Sequence, residues 1–240
     1  MIRCVVFDFD GTLVDSNEIK RRAYFEAARP FDPEGGSVRR ALGAPEPGDR
    51  FDVMRAVAAS LSAQGRLPGT DAVDAFGERL AGDYGRICED AIARAEEIPG
   101  AGAALAWLRE RGVPMFVSSA TPEAALRDVV ARRGLSACFT GLYGRPAGKP
   151  EHLAAIARQT GAAPAEILVV GDGEDDRLAA AGFGARFAGI VRPDEPRFAA
   201  PPEHRLDDLR ALPALFERLS ADAAPAAGEG EHPGVAAQGG

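Results

Sequence analysis

Residues 5–7, Val-Val-Phe, run directly into Asp8-Phe9-Asp10-Gly11-Thr12-Leu13, and few folds accept that arrangement. A short apolar run bounded by glycine is the pattern of a strand buried on both faces of a parallel sheet. Residues two apart on a strand point the same way, so Asp8 and Asp10 crowd two negative charges together. Turn chemistry before Gly11 accounts for Asp10. It does not account for Asp8, which interrupts the apolar run. Open α/β sheets bind ligands beyond the carboxyl ends of their strands, and a cation between the acids is the simplest relief of their repulsion.

The remainder of the chain reads as two kinds of segment. Residues 16–96 carry helical spacing only: a helix over 18–28, a Gly- and Pro-rich stretch with a short helix at 37–42, and helices over 49–63 and 70–97. Phe51, Met54, Val57, Ala58 and Leu61, then Val73, Phe76, Leu80, Tyr84, Ile87, Cys88 and Ile92, recur as the apolar stripes of a small helical bundle. From residue 97 helices and strands alternate: a helix over 101–111, a strand over 113–117, a helix over 122–133 with Pro122 as its first residue, and a short strand at 139–143. A helix over 151–160, a strand over 167–170, a helix to residue 181, a strand at 185–191 and a helix over 206–219 follow. Such alternation predicts an α/β, Rossmann-like core of three layers around a parallel sheet. The predicted organisation is therefore a discontinuous core, 1–15 with 97–219, an inserted all-helical domain, 16–96, and a disordered tail, 220–240, built almost wholly of Ala, Gly, Pro and acids.

Composition narrows the partners. A net charge of −8 provides no global positive field for nucleic acid or an anionic membrane, so neither is expected as a partner. No run is long and uncharged enough for a membrane span, and Met1-Ile2-Arg3 leads straight into the first strand rather than through a signal peptide. A cytoplasmic protein, monomeric or homodimeric, is the expectation. Cys4, Cys88 and Cys138 are odd in number and flanked by apolar residues, which suits free thiols in a reducing compartment. The basic residues are nearly all arginine; lysine occurs only at Lys20 and Lys149. A lysine retained against that background points to a compact ammonium where a planar guanidinium would not serve.

Strand ends carry the chemistry. Asp8 and Asp10, Ser118 and Ser119, and Asp172 with Asp175 and Asp176 each follow a predicted strand, and Lys149 sits between Gly148 and Pro150 in a further loop. In a parallel sheet these ends share one edge, so distant residues converge. Carboxylates without His or Cys favour a hard cation bound through oxygen, Mg²⁺ above all. One Asp can serve as nucleophile and the other as general acid and base.

Asp8-x-Asp10-Gly11-Thr12, Ser118, Lys149 and Gly171-Asp172-x-x-x-Asp176, in that order, resemble the four motifs of the haloacid dehalogenase superfamily, in its phosphoglycolate-phosphatase- and β-phosphoglucomutase-like branch. The resemblance covers the core and implies the following. Asp8 forms an aspartyl phosphate; Asp10 protonates the leaving oxygen and later activates water. Mg²⁺ is bound by Asp8, by Asp10 through its carbonyl and by Asp172. Gly11, Thr12, Ser118, Ser119 and Lys149 hold the phosphoryl group, while Asp176 and Asp175 orient metal waters. The helical insert is placed as that branch places its cap domain, which reads the leaving group. The implied activity is hydrolysis of a small phosphorylated metabolite. A phosphoglucomutase-like transferase and a catalytically silent binding protein on the same fold remain open as alternatives. Lys20, Arg21, Arg22, Arg39, Arg40, Arg50 and Arg55 are within reach of a second anionic group on the substrate, although a solvated helix face accounts for most of them.

Overall fold

The computed structural model describes residues 1–45, 48–67, 72–192 and 198–222. The tail expected to be disordered lies outside the described residues from 223 onward, as does the start of the helix expected over 70–97. Among the described residues six parallel strands form one sheet in the order β3-β2-β1-β4-β5-β6: β1 (Cys4–Phe7), β2 (Met115–Pro122), β3 (Gly141–Arg145), β4 (Ile167–Gly171), β5 (Arg186–Ile190) and β6 (His204–Leu206). β1 lies between β2 and β4, where the order of connection reverses. A ligand crevice is expected at that reversal.

Alternate residues of the central strands enter two different cores. Val5, Phe7, Met115, Val117, Leu168 and Val170 pack into one, and Cys4, Val6, Phe116, Ile167 and Val169 into the other. The second core also contains Leu153 and Ile156 of α7 (Lys149–Thr160), and Ala179 and Ala180 of α8 (Glu174–Phe183). Asp8 continues the series of Cys4 and Val6, and Ser118 that of Phe116. Both therefore project toward the layer that supplies Lys149 and Asp176.

Between β1 and β2 the chain forms α1 (Asn17–Ala28), α2 (Gly36–Leu42), α3 (Arg50–Ala63) and α4 (Val73–Arg94), followed by α5 (Ala101–Glu110). The segments entering and leaving the helical insert lie side by side, through a Val14–Glu97 bridge and bonds from Asp15 N to Glu96 O (2.9 Å) and Ile98 N to Leu13 O (3.0 Å). Arg133, following α6 (Glu123–Arg132), donates to the carbonyls of Ile92 (2.9 Å) and Ala95 (2.8 Å) at the end of α4. A guanidinium so placed satisfies helix-terminal carbonyls and favours the helix dipole. No helix among the described residues is long and apolar enough to cross a membrane.

Several boundaries differ from those the sequence predicts. β2 continues past Ser118 to Pro122, because pairing with β3 resumes at Pro122–Arg145 after an irregularity; β3 accordingly sits at 141–145 rather than 139–143. Pro122 is extended (ψ 137°) and precedes the helix, which begins at Glu123. α7 begins at Lys149, since Pro150 needs no N–H in the first turn. The segment expected to open a helix at 206 instead ends a short strand, β6, paired with β5. Asp208 then caps a 3₁₀ turn over Leu209–Ala211, Oδ1 accepting from Arg210 N at 2.9 Å, and α9 begins only at Leu212 (Leu212–Asp222).

Candidate active site

Asp8 and Lys149 form the centre of the sheet edge. Lys149 Nζ lies 3.3 Å from Asp8 Oδ2, 2.9 Å from Asp175 Oδ2 and 2.6 Å from Asp176 Oδ1. Lys149 is 9 % exposed and Asp176 2 %, so water screens these charges little. Burial alone would push the Lys149 ammonium down, but Asp8, Asp176 and Asp175 hold it well above its ordinary value. Burial raises the Asp8 carboxyl to about 6, with Asp172, Asp10 and Asp175 adding to the shift and Lys149 opposing it. Asp176 is likewise raised, by burial first and then by Asp8.

The carboxylate oxygens of Asp8, Asp172 and Asp176 lie within 4.8 Å of one another. A hard cation with oxygen ligands at about 2.1 Å links groups on this scale, and an all-oxygen donor set suits Mg²⁺ better than zinc or copper. Three clustered carboxylates, Asp8, Asp172 and Asp176, against the ammonium of Lys149 leave negative charge in excess, and that excess is the observation that fits a cation to the site. Asp172 is held from the opposite side by Asn17 Nδ2, which donates to Oδ2 at 2.7 Å, and by Thr12 Oγ1, 3.5 Å from Oδ1. Gly11 permits this approach: its φ is +78°, and a Cβ there would fall 2.1 Å from Asp172 Oδ2.

Asp10 points elsewhere. Its carboxylate accepts from Ser16 Oγ (2.6 Å) and Thr121 Oγ1 (3.2 Å) and pairs directly with Lys20, whose Nζ also reaches Thr121 Oγ1 at 3.2 Å. The two acids that the sequence sets side by side thus occupy different environments. Asp8 faces Lys149 and the acidic cluster; Asp10 faces α1 and the helical insert.

Ser118 is buried and bonded through Oγ to His152 Nδ1 at 2.9 Å, while His152 Nε2 lies 3.3 Å from Gly144 O. Burial lowers the pKa of His152. Ser119, also buried, accepts from Thr121 N at 3.2 Å. Asp175 is exposed and reaches Lys149 from the rim. Asp176, expected to act on metal waters, has its carboxylate in the same cluster as Asp8 and Asp172.

Lys20, Ser16, Asn17, Thr121 and His152 complete the site without standing out as its members in the sequence. Lys20 left a trace there: both lysines of an arginine-rich chain stand at this sheet edge. The others are an ordinary cap (Ser16), helix residues (Asn17, His152) and a strand residue (Thr121), whose role depends on what the fold brings opposite them.

A parallel sheet with an inserted helical bundle and an acid-lysine centre at its reversal point defines a protein of the α/β class with a candidate catalytic centre at its sheet edge. Comparison with known proteins refines the class: the model of the haloacid dehalogenase-like hydrolase family matches residues 2–184, and the chain belongs to that family. A phosphoglycolate phosphatase of Pseudomonas putida is 31 % identical over 227 residues, an alignment covering 88 % of this chain and 78 % of that protein. Phosphoglycolate phosphatase 1 of Pseudomonas aeruginosa is 32 % identical over 197 residues, covering 79 % and 69 % respectively. Among solved structures, that of a predicted phosphoglycolate phosphatase from Haemophilus somnus superposes with a TM-score of 0.73 at 20 % identity, covering 90 % of this chain and 98 % of that one.

Proposed function

We propose that the chain is a Mg²⁺-dependent phosphatase that hydrolyses a small phosphate monoester through an aspartyl phosphate on Asp8. The observation that carries this reading is the division of labour between the paired acids. Asp8 lies beside an ammonium and an acidic cluster, and Asp10 is turned toward the side from which a leaving group would depart.

Asp8 Oδ attacks phosphorus, forming a P–O bond as the ester P–O bond breaks, and Asp10 delivers its proton to the departing alcohol oxygen. Asp10 then takes a proton from water, which attacks the aspartyl phosphate and releases inorganic phosphate, regenerating the Asp8 carboxylate. Lys149 compensates charge on the transferred group, and His152 orients the Ser118 hydroxyl at its edge. Mg²⁺, held by Asp8, Asp172 and Asp176, would neutralise phosphoryl oxygens that the acids alone would repel. The helical insert, residues 16–96, acts as a cap that excludes water and contacts the leaving alcohol.

Release of inorganic phosphate from a panel of monoesters with and without Mg²⁺, beginning with phosphoglycolate because the Pseudomonas relatives bear that name, tests the reading. Metal-dependent phosphate release is expected. A phosphorylated isomer in place of free phosphate would assign the chain to the mutases instead, and no turnover of any ester would remove it from the phosphatases.

Lys20 has a separate test. With Lys20→Met, Asp10 keeps only its hydroxyl partners and loses the ammonium that fixes its orientation. kcat is expected to fall about ten- to hundredfold while KM changes little, and Lys20→Arg should recover part of the loss. An unchanged kcat would show that Asp10 needs no cation to be positioned.

A further inference from the structure

A cavity of about 660 Å³ opens between the helical insert and the core, with Lys20 and Thr121, the partners of Asp10, in its wall. A two-carbon leaving group fills little of this space, at most about 150 Å³ at the roughly 30 Å³ that one liquid water occupies per heavy atom. The wall is mixed: Lys20, Arg21, Asp49, Arg50, Glu89 and Arg145 are charged, while Tyr24 and Tyr84, with ring centroids 4.3 Å apart, join Leu42, Phe51 and Val129 in its apolar part. Pockets of this size and character bind molecules much larger than glycolate.

One polar group in the wall lacks a partner. Arg50 Nε is buried and makes no hydrogen bond, and its guanidinium rests over the Phe51 ring, 5.0 Å from the centroid, with no ion pair among the described residues. The other cations of the wall are occupied: Lys20 by Asp10, Arg21 by Glu18 at 3.1 Å, and Arg145 by Asp49 at 3.2 Å. Asp49 also caps α3, accepting from Phe51 N at 2.8 Å. Nε itself is closed off from the cavity, but Arg50 lines it, and a guanidinium fork matches a carboxylate.

We infer that the alcohol released at this site has an apolar, ring-sized body seated against Tyr24, Tyr84 and Phe51 and carries a carboxylate that pairs with Arg50. The inference rests on the phosphatase reading and sharpens it: the preferred ester is larger than phosphoglycolate.

Two measurements test it. The first compares kcat/KM for 4-carboxyphenyl phosphate, phenyl phosphate and phosphoglycolate. The carboxylated aryl ester is expected to lead both others at least tenfold. In Arg50→Ala its advantage over phenyl phosphate should shrink about ten- to hundredfold, the worth of a charge-assisted bond, and Arg50→Lys should restore part of it. A preference for phosphoglycolate, or a ratio that Arg50→Ala leaves unchanged, would overturn the inference while the phosphatase reading stands. The second measurement is calorimetric binding of 4-hydroxybenzoate and of phenol to the unreacted chain. Tighter binding of the acid, lost in Arg50→Ala, supports the subsite even if no ester is turned over; equal binding of the two refutes it.

Discussion

Asp8→Asn is expected to lower turnover by about 10⁴-fold or more, the scale on which loss of a nucleophile acts, and at the same time to raise the melting temperature of the metal-free chain at neutral pH. The two effects share one cause. Burial pushes the Asp8 carboxyl from 3.8 to about 6, against the opposing pull of Lys149. The folded chain therefore binds this proton more tightly than the unfolded chain does. Stability falls as pH rises from about 4 through 6, and the full cost is present above that range. At roughly 1.4 kcal/mol per pH unit the cost amounts to a few kcal/mol. Asparagine has the same shape and no charge to bury, and Lys149 keeps Asp175 and Asp176 as partners. The gain, measured by thermal denaturation in chelator, should be present at pH 7.5 and fade as pH is lowered toward 4. An inactive variant that melts lower than the parent at pH 7.5 would mean that the Asp8–Lys149 attraction outweighs the burial of charge.

Removing the metal should have an effect of similar size on rate. Chelation is expected to bring phosphate release to background and Mg²⁺ to restore it. The acidic cluster also offers a readout independent of turnover. A cation bound only by the folded chain stabilises it by about 2.7 kcal/mol at a hundredfold excess over its dissociation constant, and relief of the crowding among Asp8, Asp172 and Asp176 adds to its affinity. Mg²⁺ should therefore raise the melting temperature of the parent by several degrees. Asp172→Asn should lose most of that shift while still packing against Asn17 and Thr12. A full shift in Asp172→Asn would place the cation away from this cluster.

The central acids were legible from the chain because a carboxylate inside an apolar run has few explanations, and because the ends of parallel strands must share an edge. Lys149 was legible as a lysine between Gly148 and Pro150. Lys20 shows the limit of such reasoning. It stands in a run of basic residues on α1, where i,i+3 and i,i+4 pairing with acids is ordinary. Arg21 and Arg22 do pair in this way, with Glu18 at 3.1 and 2.9 Å, whereas Lys20 turns inward onto Asp10. Helical periodicity assigns a residue to a face but does not say what that face meets. β6 escaped detection for a related reason: its His-Arg-Leu sequence has little strand character of its own and is ordered by pairing with β5.

By itself the sequence determined the parallel α/β core, the helical insert and the acids at the strand ends, since short-range apolar patterning and connection rules suffice for these. Only the tertiary structure decided that Ser16, Lys20 and Thr121 surround Asp10, and at what distances Lys149 joins Asp8 and Asp176. It alone set Arg50 in the wall of the cavity between the helical insert and the core. Such contacts join residues up to 168 positions apart, as between Asp8 and Asp176, and charge, burial and proton affinity depend on these neighbours rather than on position along the chain.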